Sequence, residues 1–283
     1  MNNATNKTFN LGGDLTVNRM GYGAMRITGK GIWGQPEHRD EAIKVLQSLP
    51  GLGVNFIDTA DSYGPYVSEE LIAEALYPYP AGLVIATKGG FERTGPNEWH
   101  INSHTDHLKK ALEGSLKRLK VDKIDLYQLH RIDPKVPFEK TLAFLQQAQK
   151  EGLIKHIGLS EVSIADIEKA KEFVEVVSLQ NKYSIVYRNW EKELQYCNEH
   201  NIAFIPWNPI NAGNILFVEK LKEIGARHNA SQQQVALSWL YHHSPNILLI
   251  PGTSKVSHAE ENVKAADLVL TEDEIKELGD VKV

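Results

Sequence analysis

Cysteine is all but absent from this chain: Cys197 is the single one among 283 residues, so no disulfide can form within it. Cys197 falls in an expected helix, NWEKELQYCNEH, and reads as a packing residue rather than a nucleophile. With no disulfide framework, a reducing cytoplasm is the expected setting. No apolar run approaches the length of a membrane-spanning helix, and MNNATNKTFNL lacks the basic-then-apolar order of a secretory signal. Charge of one sign is missing too. The 31 basic and 36 acidic residues are spread along the chain, for a net charge of -5, which disfavours a nucleic-acid groove or a polybasic membrane surface as partner. There is no Walker-type loop, no CxxC pair and no GxSxG elbow. GYGAMR (21–26) lacks the third glycine of the dinucleotide-binding fingerprint, which weighs against an open doubly wound sheet. His100, His104 and His107 have near-helical spacing, but they straddle an expected helix start and no cysteine or acidic cluster joins them. They read as surface histidines, and no metal is expected.

The residues present are those of an ordinary globule, 42% hydrophobic and 24% charged, in a chain long enough to build a core without staples. Residues 7–17 read as a short hairpin turning at Gly12-Gly13-Asp14. Beyond it, β-type runs at 19–23, 54–58, 83–87, 123–129, 156–160, 176–180, 203–207 and 246–251 alternate with amphipathic stretches. In 104–119, Leu108, Ala111, Leu112, Ser115, Leu116 and Leu119 share one helical face. The helix at 139–152 ends on Gly152, and Ser231 with Gln234 and Thr271 with Glu274 fit capping boxes. Strand then helix, eight times over, predicts a (β/α)8 TIM barrel with an N-terminal hairpin, a single domain over 1–283.

Four polar residues sit just past apolar strands: Asp58 and Tyr63 in NFIDTADSYG, Lys88 in LVIATKGG and His130 in KIDLYQLHR. In a β/α barrel the C-terminal strand ends converge on one face. Reduction of a carbonyl needs a hydride, which no side chain donates, and hence a cofactor, together with a proton for the oxygen. A free phenol titrates near ~10, and a neighbouring ammonium favours the phenolate. Lys88 can supply that ammonium, Asp58 can hold it charged, and His130 can hydrogen-bond the carbonyl oxygen. Taken singly, each residue fits an ordinary structural role: a turn aspartate, a packing tyrosine, a solvated lysine, a satisfied histidine. Taken together they form a proton-donating site.

The chain resembles the aldo-keto reductases over essentially its whole length. The likeness rests on GVNFIDTADSYG (53–64), ATKGG (86–90), SLKRLKVDKIDLYQLHRID (115–133), GLIKHIGLS (152–160) and IPGTSKVSHAEENVKAADLVLTEDEI (250–275). It implies a barrel that binds an extended nicotinamide cofactor without a Rossmann fold. Tyr63 would be the general acid, tuned by Lys88 and Asp58, with His130 orienting the substrate. Gly23, Ala24, Met25 and Asp58 would border the cofactor, and Ser160, Glu161 and Gln180 would meet its carboxamide. Trp207 would stack on the nicotinamide, and Asn208, Pro209 and Ile210 would run beside the pyrophosphate. Gly252, Thr253, Ser254 and Lys255 would receive the adenosine 2′-phosphate, with His258, Glu261 and Asn262 near the adenine. A loop of small residues at a helix start suits an anion, and Lys255 tilts the choice to NADPH, with NADH also open. Taken without the other segments, TSK would be a plain capped turn.

The chain departs from the family at two places. Glu161 stands where the family usually has Asn, and a carboxylate cannot donate to the carboxamide oxygen. His258 stands where some branches have Arg, so the preference for NADPH should be milder and more pH-dependent.

Trp33, Tyr66, Phe91, Trp99, Arg131 and Trp190 are the expected pocket rim, suiting a flat or hydrophobic aldehyde. VNRMGYGAM, GIWGQP and EALYPYP are similar to bacterial family members that reduce pyridoxal to pyridoxine. Two other readings stay open. One is a sugar or alcohol dehydrogenase using NAD(P)+. The other is a slow-turnover redox-sensing subunit, which Glu161 would favour and the intact tetrad argues against.

Overall fold

The computed structural model describes residues 6–210 and 218–280. Residues 1–5 and 281–283, the ends of the expected domain and part of the stretch searched for a signal, lie outside these. Strands β1 (Thr8–Leu11) and β2 (Leu15–Asn18) pair antiparallel. Their turn holds Gly12 at φ 60 and Gly13 at φ 82, backbone angles that glycine adopts without strain.

The alternation then begins, with β3 (Tyr22–Gly23), α1 (Arg39–Ser48), β4 (Phe56–Asp58), α2 (Val67–Leu76) and β5 (Val84–Gly89). A second hairpin follows, β6 (Phe91–Gly95) and β7 (Glu98–Ile101), which the sequence reading did not anticipate. Next come α3 (Thr105–Leu119), β8 (Ile124–Leu129), α4 (Phe138–Lys150), β9 (Ile154–Ser160) and α5 (Ile164–Lys171). The rest is β10 (Val176–Gln180), α6 (Glu191–Glu199), β11 (Ala203–Phe204), α7 (Glu219–His228), α8 (Gln232–His243), α9 (Val256–Lys264) and α10 (Glu272–Gly279). The capping boxes at Ser231 and Thr271 are present, and Ser163 with Asp166 makes a third. Gly152, at φ 79, follows the end of α4.

Seven strands form one parallel sheet in the order β11-β10-β9-β8-β5-β4-β3. The stretch expected as an eighth strand, 246–251, is not a regular one. It bridges Phe204 through Ile247 on one side and Met20 through Leu249 on the other. Its pairing alternates between two neighbours, so no run of successive ladder partners builds a strand. Even so, Leu248 N–H donates to Phe204 O at 2.9 Å and Gly21 N–H donates to Leu249 O at 2.8 Å. The segment therefore hydrogen-bonds to both edges of the curled sheet.

Side chains alternate across a strand, and the two faces here pack separately. Phe56, Val84, Ala86, Leu126, Val177, Ala203 and Leu248 form an inner cluster. Phe9, Leu11 and Val17 of the first hairpin plug that cluster at one end. Asp14 ties the plug down through His156 Nε2 at 2.7 Å and Lys155 Nζ at 3.1 Å. The opposite face carries Ile57, Ile85 and Tyr127 into the larger layer beneath the helices. Because the hairpin fills one end, a ligand can enter only from the other, where the strands finish.

Arg19, fully buried just after β2, spends its donors on carbonyls: Ile247 O at 3.1 Å, Asn6 O at 3.2 Å, and Tyr241 O and Ser244 O at 2.6 Å. It holds the bridging segment and the end of α8 to the sheet. Arg19→Met would strand these acceptors in the interior at a cost of about 3 kcal/mol. The melting temperature should fall by roughly 5–10 °C, and a loss below about 1 kcal/mol in thermal unfolding would show that the backbone bridges suffice without it.

Candidate active site

Asp58 ends β4, Lys88 is next to last in β5, and His130 follows β8 directly. All three continue the inward parity of their strands, above Phe56, Ala86 and Leu126, so the strand period alone aims them at the inner face of the curled sheet. Tyr63 reaches the same point from the loop between β4 and α2. Lys88 has no solvent exposure, and each hydrogen of its ammonium finds an acceptor. These are Asp58 Oδ2 at 2.6 Å, Thr59 O at 2.7 Å and Tyr63 Oη at 3.4 Å. Since Tyr63 Oη accepts from Lys88, its own proton is free to be donated elsewhere.

Asp58 Oδ1 accepts from Gln128 Nε2 at 3.0 Å and Gln180 Nε2 at 2.8 Å. The sequence reading placed Gln180 at the cofactor and missed Gln128. Its signal was a polar residue at an inward position of an apolar strand, two before His130.

The electrostatics follow from burial. Burial opposes the Lys88 ammonium, but Asp58 and the Tyr63 oxygen outweigh it, and the pKa is raised. Burial also pushes the Tyr63 phenol up, and the pull of Lys88 in the other direction does not cancel it. The ammonium was expected to lower this group; in the folded site desolvation wins, and the phenol stays protonated at neutral pH. His130 is held well below its ordinary value by burial and then by Lys88 and Arg131, so its imidazole is neutral. The His130 and Tyr63 rings meet edge-on with centroids 5.9 Å apart.

Tyr63 and His130 open onto a cavity of about 710 Å³. Of the sequence candidates, Gly23, Met25, Asp58, Ser160, Gln180, Trp207, Asn208, Pro209, Ile210 and Gly252 line it, as do Phe91, Trp99 and Arg131. Arg26 and Ile32, not anticipated, line it as well. Ala24 is buried behind the wall. Thr253, Ser254, Lys255, His258, Glu261 and Asn262 lie beyond the lining, around the start of α9. Ser254, Lys255 and His258 are exposed there, while Glu261 accepts from the Ser231 hydroxyl of the α8 cap.

Three rim candidates also stand outside the lining. Trp33 pairs with Gly64, Tyr66 is 48% exposed beneath the Arg118 guanidinium, and Trp190 packs on the core at the head of α6. Glu161, at φ 56, turns its carboxylate to the edge of Trp207. Its Oε1 accepts from Trp207 Nε1 at 2.6 Å and Lys182 N–H at 2.5 Å. Glu161 thus braces the aromatic wall. Among the described residues no group of three or more His, Cys, Asp or Glu is placed to hold a metal.

Arg93, also missed, organises the rim. Its guanidinium donates to the carbonyls of Glu98, Ile32, Ser62, Gly31 and Gly95 and lies 3.6 Å from the Trp99 ring centroid. It joins the β6–β7 hairpin to two separate loops, an arrangement that no spacing in the sequence announces.

A pattern described as the Aldo/keto reductase family matches residues 19–282. The chain is 51% identical over 95% of its length to an uncharacterized oxidoreductase of Schizosaccharomyces pombe, spanning 88% of that protein. It is 40% identical over 98% of its length to pyridoxine 4-dehydrogenase of Escherichia coli, spanning 99% of it. A solved thermostable aldo-keto reductase in complex with the inhibitor epalrestat superposes with a TM-score of 0.82 at 30% identity, covering 93% of this chain and 95% of that one. The chain belongs to the aldo/keto reductase family of oxidoreductases.

The Lys88–Asp58 pair generates a stability prediction. Lys88→Met leaves a buried carboxylate without its cation and should cost about 3–5 kcal/mol in urea unfolding. Combining it with Asp58→Asn removes the orphaned charge and should restore at least half of the loss. A double variant no more stable than the single one would show that the damage is not electrostatic.

Proposed function

We propose that this chain is a reductase that converts an aldehyde to an alcohol with NADPH, using Tyr63 as the general acid. The observation that carries the reading is the junction of Lys88, Asp58, Tyr63 and His130 at the floor of a cavity with apolar walls. We read the fold as one domain and a closed (β/α)8 barrel, the segment around 246–251 taking the eighth place. Family membership supports this, as do the hydrogen bonds of that segment to both sheet edges.

The residues present suit an extended dinucleotide. A Cβ on Gly252 would lie 2.6 Å from Gly23 O, and one on Gly23 would lie 2.6 Å from Ile250 O, so both positions keep backbone thin beside the cavity. Ser160, Gln180 and Trp207 would hold the nicotinamide end, with the Trp207 indole fixed by Glu161. The exposed Lys255, at the head of α9, would favour a 2′-phosphate and hence NADPH. When bound, the cofactor supplies the hydride for the carbonyl carbon. His130, neutral, donates an N–H to the carbonyl oxygen and fixes its direction. Tyr63 transfers its proton to that oxygen as negative charge develops there. Lys88, already donating to Tyr63 Oη, then stabilises the phenolate left behind. Asp58 keeps Lys88 charged.

The substrate we favour is an aromatic or hydrophobic aldehyde, pyridoxal among the candidates. Support comes from the Phe91, Trp99 and Ile32 wall and from the 40% identity to pyridoxine 4-dehydrogenase. That relative's name also favours a second reading, oxidation of an alcohol with NADP+, in which Tyr63 works in reverse as the base. The lone, buried Cys197 suits a reducing, cytoplasmic setting.

Tyr63→Phe tests the reading: aldehyde-dependent oxidation of NADPH should fall at least about 100-fold, while cofactor binding, followed by its fluorescence, persists. Turnover preserved in that variant would remove Tyr63 from the proposed role. The pH profile is a second test. Tyr63 titrates above its ordinary 10.0 and His130 below its ordinary 6.5, so neither changes charge between roughly pH 7 and 9. The rate of reduction should be level across that span, and a fall centred near neutrality would point to a histidine as the proton donor.

A further inference from the structure

Six arginines of this fold are partly or wholly buried, and five of them engage two or three of their guanidinium nitrogens with the protein. Arg19 and Arg93 hold backbone carbonyls, Arg188 holds the carbonyls of Ile185, Leu278 and Gly279, Arg39 pairs with Glu74, and Arg118 pairs with Glu69 at 2.6 Å and reaches Ser115. Arg131 is the exception, and it lines the cavity immediately after His130. Only its Nη1 is engaged, donating to His130 O at 2.5 Å and to Ser160 Oγ at 2.9 Å. Among the described residues, Nε and Nη2 have no acceptor and no carboxylate lies within ion-pair distance of the guanidinium.

The acids near the cavity are already occupied. Asp58 accepts from Lys88, Gln128 and Gln180, and Glu161 accepts from Trp207 and Lys182. The Phe91 ring, its centroid 5.4 Å from the guanidinium carbon, flanks the fork. Here, then, is a positioned cation, out of bulk water, with one side of its fork free. A guanidinium keeps its charge at any physiological pH and matches two oxygens of a carboxylate or phosphate at once.

We propose that Arg131 is an anion subsite of the substrate cavity, and that the preferred aldehydes carry a carboxylate or phosphate on an apolar or aromatic body. This rests on the reductase reading above and deepens it. The oxyanion would take the free edge of Arg131, the apolar body would lie against Phe91, Trp99 and Ile32, and the aldehyde would reach Tyr63 and His130. A purely neutral substrate would leave the half-buried Arg131 with only the Glu161 carboxylate, beyond ion-pair distance, to answer its charge.

The experiment compares wild type, Arg131→Met and Arg131→Lys on matched aldehydes: 4-formylbenzoate against 4-formylbenzamide, and pyridoxal 5′-phosphate against pyridoxal. In wild type, kcat/KM for the anion should exceed that for its neutral partner by about tenfold or more in at least one pair, the pair telling carboxylate from phosphate. In Arg131→Met that ratio should collapse towards one, and Arg131→Lys should retain part of it. Calorimetry of benzoate and phenyl phosphate with the NADP+-loaded protein gives a readout without turnover: one of them binds wild type, and Arg131→Met weakens it about tenfold. Equal use of both partners by wild type overturns the proposal. So does an unchanged ratio in Arg131→Met accompanied by weaker NADPH binding, which would assign Arg131 to the cofactor. If no aldehyde is reduced at all, the reductase reading fails, while loss or persistence of anion binding in Arg131→Met still decides the subsite.

Discussion

A lysine ammonium with no exposure to water is the constraint around which this molecule is organised. Moving that charge out of solvent is costly, and the cost is tolerable only if every hydrogen on the nitrogen is answered. Asp58, Thr59 and Tyr63 answer them, and Asp58 is in turn held by Gln128 and Gln180. Five of these residues, Asp58, Thr59, Lys88, Gln128 and Gln180, lie on or just past β4, β5, β8 and β10. The network therefore exists only if those strands stand side by side in this register and curl. Satisfying the buried charge and assembling the site are the same act of folding.

The two ends of the sheet are then treated differently. At one end the first hairpin inserts Phe9, Leu11 and Val17 and is pinned through Asp14 to His156 and Lys155. At the other, the strand termini stay free to carry polar groups, and a cavity opens above them. Its walls are made by segments that have no regular ladder with the main sheet: the β6–β7 hairpin, the loop around Ile32 and the turn bearing Trp207. Each is braced by a side chain in addition to its local backbone pairing. Arg93 gathers the first two through four carbonyls and ties them to the Ser62 carbonyl of the loop after β4, and Glu161 clamps the indole of the third. A rim built this way can vary without disturbing the floor.

Much of the floor was legible beforehand, and the misses have physical reasons. Asp58, Lys88 and His130 could be read because each interrupts an apolar, period-two strand at its end. Gln128 breaks the same rule and could have been read on the same ground. The second hairpin leaves no mark in the sequence because FERTGPNEWHI has polar residues on both faces, so alternation shows no buried side. The stretch 246–251 reads as a full strand because NILLIP is apolar throughout, and apolarity reports burial rather than the number of ladder partners. For Tyr63, the expected downward pull of Lys88 is present, but burial exceeds it; depth below the surface has no signature in sequence.

The sequence by itself determined the period of its strands and helices, the caps that start α8 and α10, and which polar residues end up at strand termini. These are local properties, set by the alternation of side chains and the hydrogen-bonding habits of a few residue types. Only the tertiary structure decided what those residues touch. It showed that Glu161 faces Trp207, that Arg93 rivets three loops, and that, among the described residues, Arg131 engages one guanidinium nitrogen while Arg19, Arg93, Arg118 and Arg188 each engage two or three. Each of these depends on contacts between segments tens of residues apart. The same arginine is a bolt, a rivet or a binding group according to which carbonyls and carboxylates the fold brings within reach.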